Sequence, residues 1–473
     1  MYDDIAYLNI ALPEDIQKKK WYGDFEGAIR LIDRRLSLDI PEALRKKLVL
    51  EKEILRLLPS DYPYSFEEAV KYAKERIPDF TQEELKELED AGRIDWIYVQ
   101  GKVRYFGRFL ETLLVTDPAF AARARREEEE DNSAKRSFLD DTMRLMKREG
   151  RLTRRFRIRA YLKIRDEAFV PGKKVRVYLP VPIDCMQVKD ARILASEPEI
   201  RSVALPAAAQ RTVYFEAAPE ENRPFWVEYE YENTVNYVEP RPEETAEALR
   251  RGVKPLEAFN PRTDIPGHGE PTLADIAEQA PHITFTPYIR ALREELAGGE
   301  TNPLITARRF YDFITTKVNY SFMRDYFTIE NIPEYAALNL KADCGVQALL
   351  FITLCRLAGI PARWQSGLYS TPESAGSHDW AQFYVEPYGW LFADCSFGGS
   401  AYRNGQLERW NFYFGNLDPY RMPANCVFQA EFDPPKKYLR NDPYDNQSGE
   451  AEYEDRALGS EELECYRTVL SCE

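Results

Sequence analysis

The residues able to do covalent chemistry are few. The 473-residue chain has seven cysteines (185, 344, 355, 395, 426, 465 and 472) and three histidines (His268, His282 and His378). Cys344 follows Asp343 at the head of an apolar stretch that runs to Leu357 and meets Gly359 and Pro361. That pattern predicts a helix with Asp343 as N-cap, Gly359 just past the end, and Val346, Leu349, Leu350, Thr353 and Leu357 along one face. Cys344 then sits in the first turn. There the unpaired amides and the helix dipole favour an anion, so the spacing predicts a thiol of lowered pKa whose own N–H can face an oxyanion. Cys355, on the same helix, reads as an inert core residue. His378 opens a strand-like stretch and Asp394 lies late in a second one, with Pro387-Tyr388-Gly389 as the turn of a hairpin between them. Nucleophile, base and base-orienting carboxylate are the parts an acyl-transfer triad requires. Direct opposition of His378 and Asp394 needs a hairpin centred on Glu386, whereas the turn residues favour Tyr388. A bulge or an asymmetric loop is therefore expected. His268 and His282 fall outside these blocks and read as surface or linker histidines. No HExxH or comparable ligand spacing occurs, so neither a metal nor another cofactor is expected.

These groups need elements to hold them, and the chain reads as a multidomain α+β protein. Residues 1–150 are mostly helical, with a periodic segment from Pro41 to Pro59 and capping-box patterns at Ser65–Glu68 and Thr81–Glu84. A small hairpin is expected between Ile94 and Phe106, and the charged run Arg125 to Asp131 reads as a solvated helix face or linker. Residues 151–240 alternate with period two, as in Phe156, Ile158, Ala160, Leu162 and Ile164, which predicts a β-sandwich-like domain. Residues 241–287 read as a linker, 288–440 as the unit holding the chemistry, and 441–473 as an acidic C-terminal tail. The stretches 414–422 and 442–447, dense in turn residues, read as ordered surface loops rather than as borders of a substrate groove.

Charge and composition exclude several functions. The net charge is −15, and residues 443–473 alone hold nine acidic and two basic residues, so −7 of it is local. This argues against nucleic acid as a partner. Residues 144–176 reverse the sign, with thirteen Lys/Arg against three Asp/Glu. Their strand-like alternation favours an exposed sheet face or a contact with the acidic tail over an anion-binding surface. The longest apolar run, Ala348 to Cys355 with Thr353 as its one polar residue, is far short of the ~20 residues a membrane span needs, so no membrane role is expected. The N-terminus lacks a basic and an apolar region, which predicts no signal peptide. An odd cysteine count without CxxC suits a reducing, cytoplasmic setting.

The blocks Arg309-Phe310-Tyr311-Asp312-Phe313-Ile314, Val318-Asn319-Tyr320, Asp343-Cys344, Cys355 to Arg363, His378-Asp379-Trp380, Gly389-Trp390 and Asp394 occur in this order. Over residues 303–400 the chain resembles the transglutaminase-like superfamily, in its bacterial cysteine-protease branch. The resemblance implies a papain-like α+β core with Cys344 as nucleophile, His378 as general base and acid, and Asp394 as orienting carboxylate. It departs from the family in Ala342, where glycine is usual, and in Cys395, where proline is common. Cys395 reads as core packing on the side of the strand away from Asp394. For the second oxyanion donor, Tyr320 is favoured from its family position, with Gln347, Trp364 and Trp380 as other polar-tipped residues near the motifs. The expected activity is thiol-dependent acyl transfer on a peptide or protein substrate, either as a peptidase or amidase or as an amine transferase. A non-catalytic protein-binding scaffold of the same fold is the alternative from another class.

Overall fold

The computed structural model describes residues 2–125, 132–253, 256 and 269–473. His268 and all of the charged run except Arg125 lie outside the described residues. Helices Glu42–Leu57, Phe66–Arg76 and Gln82–Asp90 lie where the N-terminal periodicity places them, and both capping boxes form reciprocally. The hairpin pairs Trp96–Val99 with Lys102–Tyr105 around Gln100-Gly101. Both turn residues have positive φ, as a two-residue hairpin turn requires. Within this helical region Glu51 is fully buried between the ammonium groups of Lys20 (2.8 Å) and Lys47 (3.2 Å).

The period-two region forms a sandwich of two four-stranded antiparallel sheets. One orders strands 463–472, 151–164, 225–236 and 188–197; the other orders 450–453, 175–180, 212–217 and 202–203. Their inner faces share one apolar core around Phe156, Ile158, Val177, Phe215 and Val227. The segment read as an acidic tail is thus part of the fold: it supplies strands Glu450–Tyr453 and Leu463–Cys472. It also supplies acids to the basic strands, in Arg165–Glu464 (3.0 Å), Lys173–Asp455 (2.8 Å) and Arg176–Glu452 (3.3 Å). The linker 241–287 includes a helix, Pro242–Arg251, and a single tight helical turn, Leu273–Ile276. His282 is no surface residue. It is fully buried, its Nδ1 accepts from the Ile332 amide (3.3 Å), and Tyr444 and Phe428 meet its ring edge-on. Burial alone pushes its pKa down to about 3.

The third unit is a five-stranded antiparallel sheet in the order 414–415, 389–393, 375–385, 362–370, 421–425. The helix Cys344–Leu357 packs on it, and Phe351 meets Phe383 in a T-shaped contact. Rather than presenting one apolar face, this helix is buried all round from Gly345 to Arg356, as a central core helix is. Leu368, Met422 and Ala424 of the sheet also enter the sandwich core, which joins the two units into one packed body. Among the described residues no helix is long and apolar enough to cross a membrane.

Candidate functional site

The helix head forms as its sequence predicts. Asp343 Oδ1 accepts from the Val346 amide (3.1 Å), and the first intrahelical bond runs from Gln347 N to Asp343 O (3.0 Å). The amides of Cys344 and Gly345 therefore lie ahead of the bonded turns. Gly359, with φ of 76°, ends the helix. The hairpin question resolves on Pro387: Val385 pairs with Gly389 and Ala381 with Ala393. His378 and Asp394 are consequently not directly opposite. Asp394 has left the strand and caps the next helix, Cys395–Arg403, accepting from the Phe397 amide (2.9 Å). As that cap, its side chain lies 2.8 Å from His378 Nε2. Cys395 is buried core, but as the first residue of this helix rather than on a strand.

His378 and Asp394 form a buried pair. Asp394 is fully buried, and the same Oδ2 that meets His378 accepts from Arg421 Nη2 (2.9 Å). Arg421 is itself fully buried, bonded to Asp418 (3.1 Å) and stacked over Phe397. Burial would raise the Asp394 carboxyl, but the charges and hydrogen bonds of His378 and Arg421 outweigh it and hold the group down at about 2. An ionised Asp394 can only accept, so Nε2 carries the proton and Nδ1 is the nitrogen left to act as base. Phe397 meets the imidazole at 4.8 Å and Trp380 stacks at 6.0 Å, which fixes its plane.

Cys344 is partly exposed, and the hydrogen bond of its sulfur goes to Asp379 Oδ2 (3.2 Å), the residue beside His378. Neighbouring strand residues leave opposite faces of the sheet. Asp379 shares the face of Ala381, Phe383 and Val385, which pack in the core of the central helix, whereas Trp380 packs with Phe392 and Leu417. The lowered thiol pKa expected from the helix start is therefore overturned. Desolvation, then the charges of Asp379 and Asp343, push the thiol well above its ordinary value.

The candidates for a second oxyanion donor separate. Trp380 Nε1 donates to Gln365 Oε1 (2.8 Å), and Gln347 Nε2 donates to the Ala342 carbonyl (3.3 Å), so both donors are used within the core. Trp364 is buried against Phe428. Tyr320 is half-buried in a strand that pairs Ala342 with it, two residues from Cys344, and its hydroxyl and the sulfur interact electrostatically.

Several residues of the site carry no motif in the sequence. Asp379 is quoted in the family block without a role. The stretches read as surface loops are interior: Asp418 and Arg421 support Asp394, and Asp445 and Gln447 reach Asp379. Among the described residues no group of three or more His, Cys, Asp or Glu could hold a metal ion.

Residues 290–395 match the family model of the transglutaminase-like superfamily. No curated protein matches the chain. Solved structures similar to it include the following two. One is a "Putative Cysteine Protease" from Cytophaga hutchinsonii, 12% identical, with a TM-score of 0.42 over 68% of this chain and 93% of that one. The other is the periplasmic domain of TgpA from Pseudomonas aeruginosa, 14% identical, with a TM-score of 0.27 over 57% of this chain and 96% of that one. The matched segment spans the helix of Cys344, the strand of His378 and the turn to Asp394, and the chain thus carries a transglutaminase-like core.

Proposed function

We propose that the protein is a thiol-dependent acyl-transfer enzyme that hydrolyses peptide or carboxamide bonds with Cys344, His378 and Asp394. The observation that carries this reading is the buried His378–Asp394 pair, in which an ionised carboxylate clamped by Arg421 fixes the imidazole with Nδ1 as its basic nitrogen. In the reaction, Cys344 gives its proton to His378 Nδ1 and its sulfur bonds to the substrate carbonyl carbon. The tetrahedral oxygen takes up negative charge beside the Cys344 and Gly345 amides, where the helix start favours an anion. The C–N bond then breaks and the amine leaves with the proton from His378. Water, deprotonated by the same nitrogen, cleaves the thioester and returns the thiol. Asp394 holds the imidazolium without itself becoming protonated.

The test is mass spectrometry of a peptide library incubated with wild type and Cys344→Ala, with and without a primary amine. Cleaved or deamidated peptides from wild type alone are expected. Amine adducts in place of hydrolysis would make the enzyme a transferase. Identical product lists for the two proteins would overturn the catalytic reading.

A further inference from the structure

A carboxylate that the triad does not use occupies the nucleophile's hydrogen bond. We propose that Asp379 is a positioning residue that holds Cys344 as a neutral thiol in the resting site, so that the sulfur must exchange Asp379 for His378 before it can attack. This rests on the assignment of Cys344 and His378 given above. The contact is built rather than incidental. Asp379 is 6% exposed, its Oδ2 is 3.2 Å from the sulfur, and its Oδ1 accepts from Gln447 Nε2 (2.5 Å). The same Gln447 amide holds the His378 carbonyl (3.1 Å), so the orientation of Asp379 and the backbone of His378 are fixed together. Gly345 leaves the room: a Cβ there would lie 2.9 Å from Asp379 Oδ2 and 2.5 Å from the Tyr326 hydroxyl.

The charges around the sulfur favour the thiol over the thiolate. Asp343 lies at the helix head with the Tyr326 hydroxyl donating to it, and Asp445 from the C-terminal loop hydrogen-bonds Asp379, with Asp442 behind it. Tyr320 faces the sulfur from the strand before the helix, and Arg108 from the N-terminal region acts on Asp343 and Tyr320. His378, the residue before Asp379, leaves the other face of the strand and lies against Asp394 and Phe397. Two carboxyl groups in contact cannot both ionise, so Asp379 and Asp445 share at least one proton. Movement of the sulfur to His378 passes the thiol proton to Nδ1, and the proton shared by the two carboxyls stays with them. No other reactant is required.

The experiment is the pH dependence of iodoacetamide alkylation at Cys344, read by peptide mapping, in the intact chain. The wild-type midpoint is expected above that of a free cysteine, ~8.5. Asp379→Asn keeps the shape and removes the charge that Asp379 takes on as it titrates, at about 8. It should lower the midpoint by a unit or more. A wild-type midpoint below 7 would overturn the proposal without any variant, and so would an Asp379→Asn profile that superimposes on wild type. Alkylation reads the thiol, not turnover. An inactive wild type whose profile still shifts in Asp379→Asn therefore overturns the enzymatic reading and leaves the latch standing. An active enzyme whose profile does not shift overturns the latch alone.

Discussion

Asp394 and Asp379 are both buried beside His378 and have opposite tendencies, because one faces cations and the other faces carboxyls. Arg421 and His378 hold Asp394 at about 2, whereas burial and then the charge of Asp343 push Asp379 up to about 8. The two act on stability with opposite signs. Asp394 binds its proton less readily folded than unfolded, so its contribution, about 2 kcal/mol, is present above pH ~4 and is lost as pH falls towards 2. Asp379 keeps a proton that the unfolded chain has already released. Its burden therefore grows as pH rises from about 4 to about 8. Asp343, raised to about 6, and Asp325, raised to about 7, act in the same direction as Asp379. His282 opposes them: kept neutral by burial, it costs stability as pH falls from 6.5 to about 3. Replacing Asp379 by asparagine removes one contribution to the alkaline slope. Between pH 6 and 8 the melting temperature of Asp379→Asn is expected to fall by less than that of wild type, by roughly 2 °C or more. Parallel curves would mean that Asp379 titrates alike in both states.

At the scale of elements, the site depends on how the helix Cys395–Arg403 seats against the helix Pro303–Lys317. Gly398 makes the seat possible. A Cβ there would lie 1.8 Å from the Tyr311 hydroxyl, which donates to the Trp410 carbonyl (2.7 Å). Gly398→Ala is expected to cost about 1–3 kcal/mol by overpacking and to displace the turn holding Asp394 and Phe397. Tyr311→Phe removes the clashing oxygen, so the double variant should recover part of that loss in urea unfolding. Strict additivity of the two changes would disprove the clash. Element positions follow local signals, which is why they are legible in the sequence. Ser65 and Thr81 carry their capping glutamates, Gly359 stops the central helix, and alternation marks the sandwich strands. Contacts between elements are not local. Strand parity puts His378 and Asp379 on opposite faces, but only the packed helix decides which face meets the sulfur. The turn residues around Asp442 and Gln447 suggest a surface loop. In the fold Gln210 binds the Tyr444 carbonyl (2.6 Å) and Asn425 binds that of Asn446 (3.0 Å), and these satisfied backbone groups let the loop lie inside.

On the scale of the whole molecule, each unit reaches the site. The N-terminal region docks on the segment before the helix of Cys344: Asp61 accepts from the Asp325 amide (2.9 Å), and Arg324 bonds the Tyr62 hydroxyl (3.2 Å), which holds the two residues that lead into Tyr326. The C-terminal segment comes from the other side. It leaves the five-stranded sheet at Asn425, passes Asp445 and Gln447 through the site, and ends as two strands of the sandwich. Glu450 fastens that return. Its carboxylate is 4% exposed and accepts from Lys436 Nζ (2.8 Å), Arg440 Nε (2.9 Å) and the Asn441 amide (2.9 Å). Removing it by Glu450→Ala leaves two buried cations without this carboxylate, a loss of about 3–5 kcal/mol. Glu464, paired with Arg165 on the sandwich surface with both side chains more than two-fifths exposed, provides the contrast: Glu464→Ala should cost under ~1 kcal/mol. Urea midpoints of the two variants test the difference, and equal costs would show that the buried cluster does not fasten the C-terminal strands. Because the loop that Glu450 anchors carries Asp445 and Gln447, Glu450→Ala should also raise amide hydrogen exchange across residues 442–447. Fastening the sandwich and positioning Asp379 then depend on the same short stretch of chain.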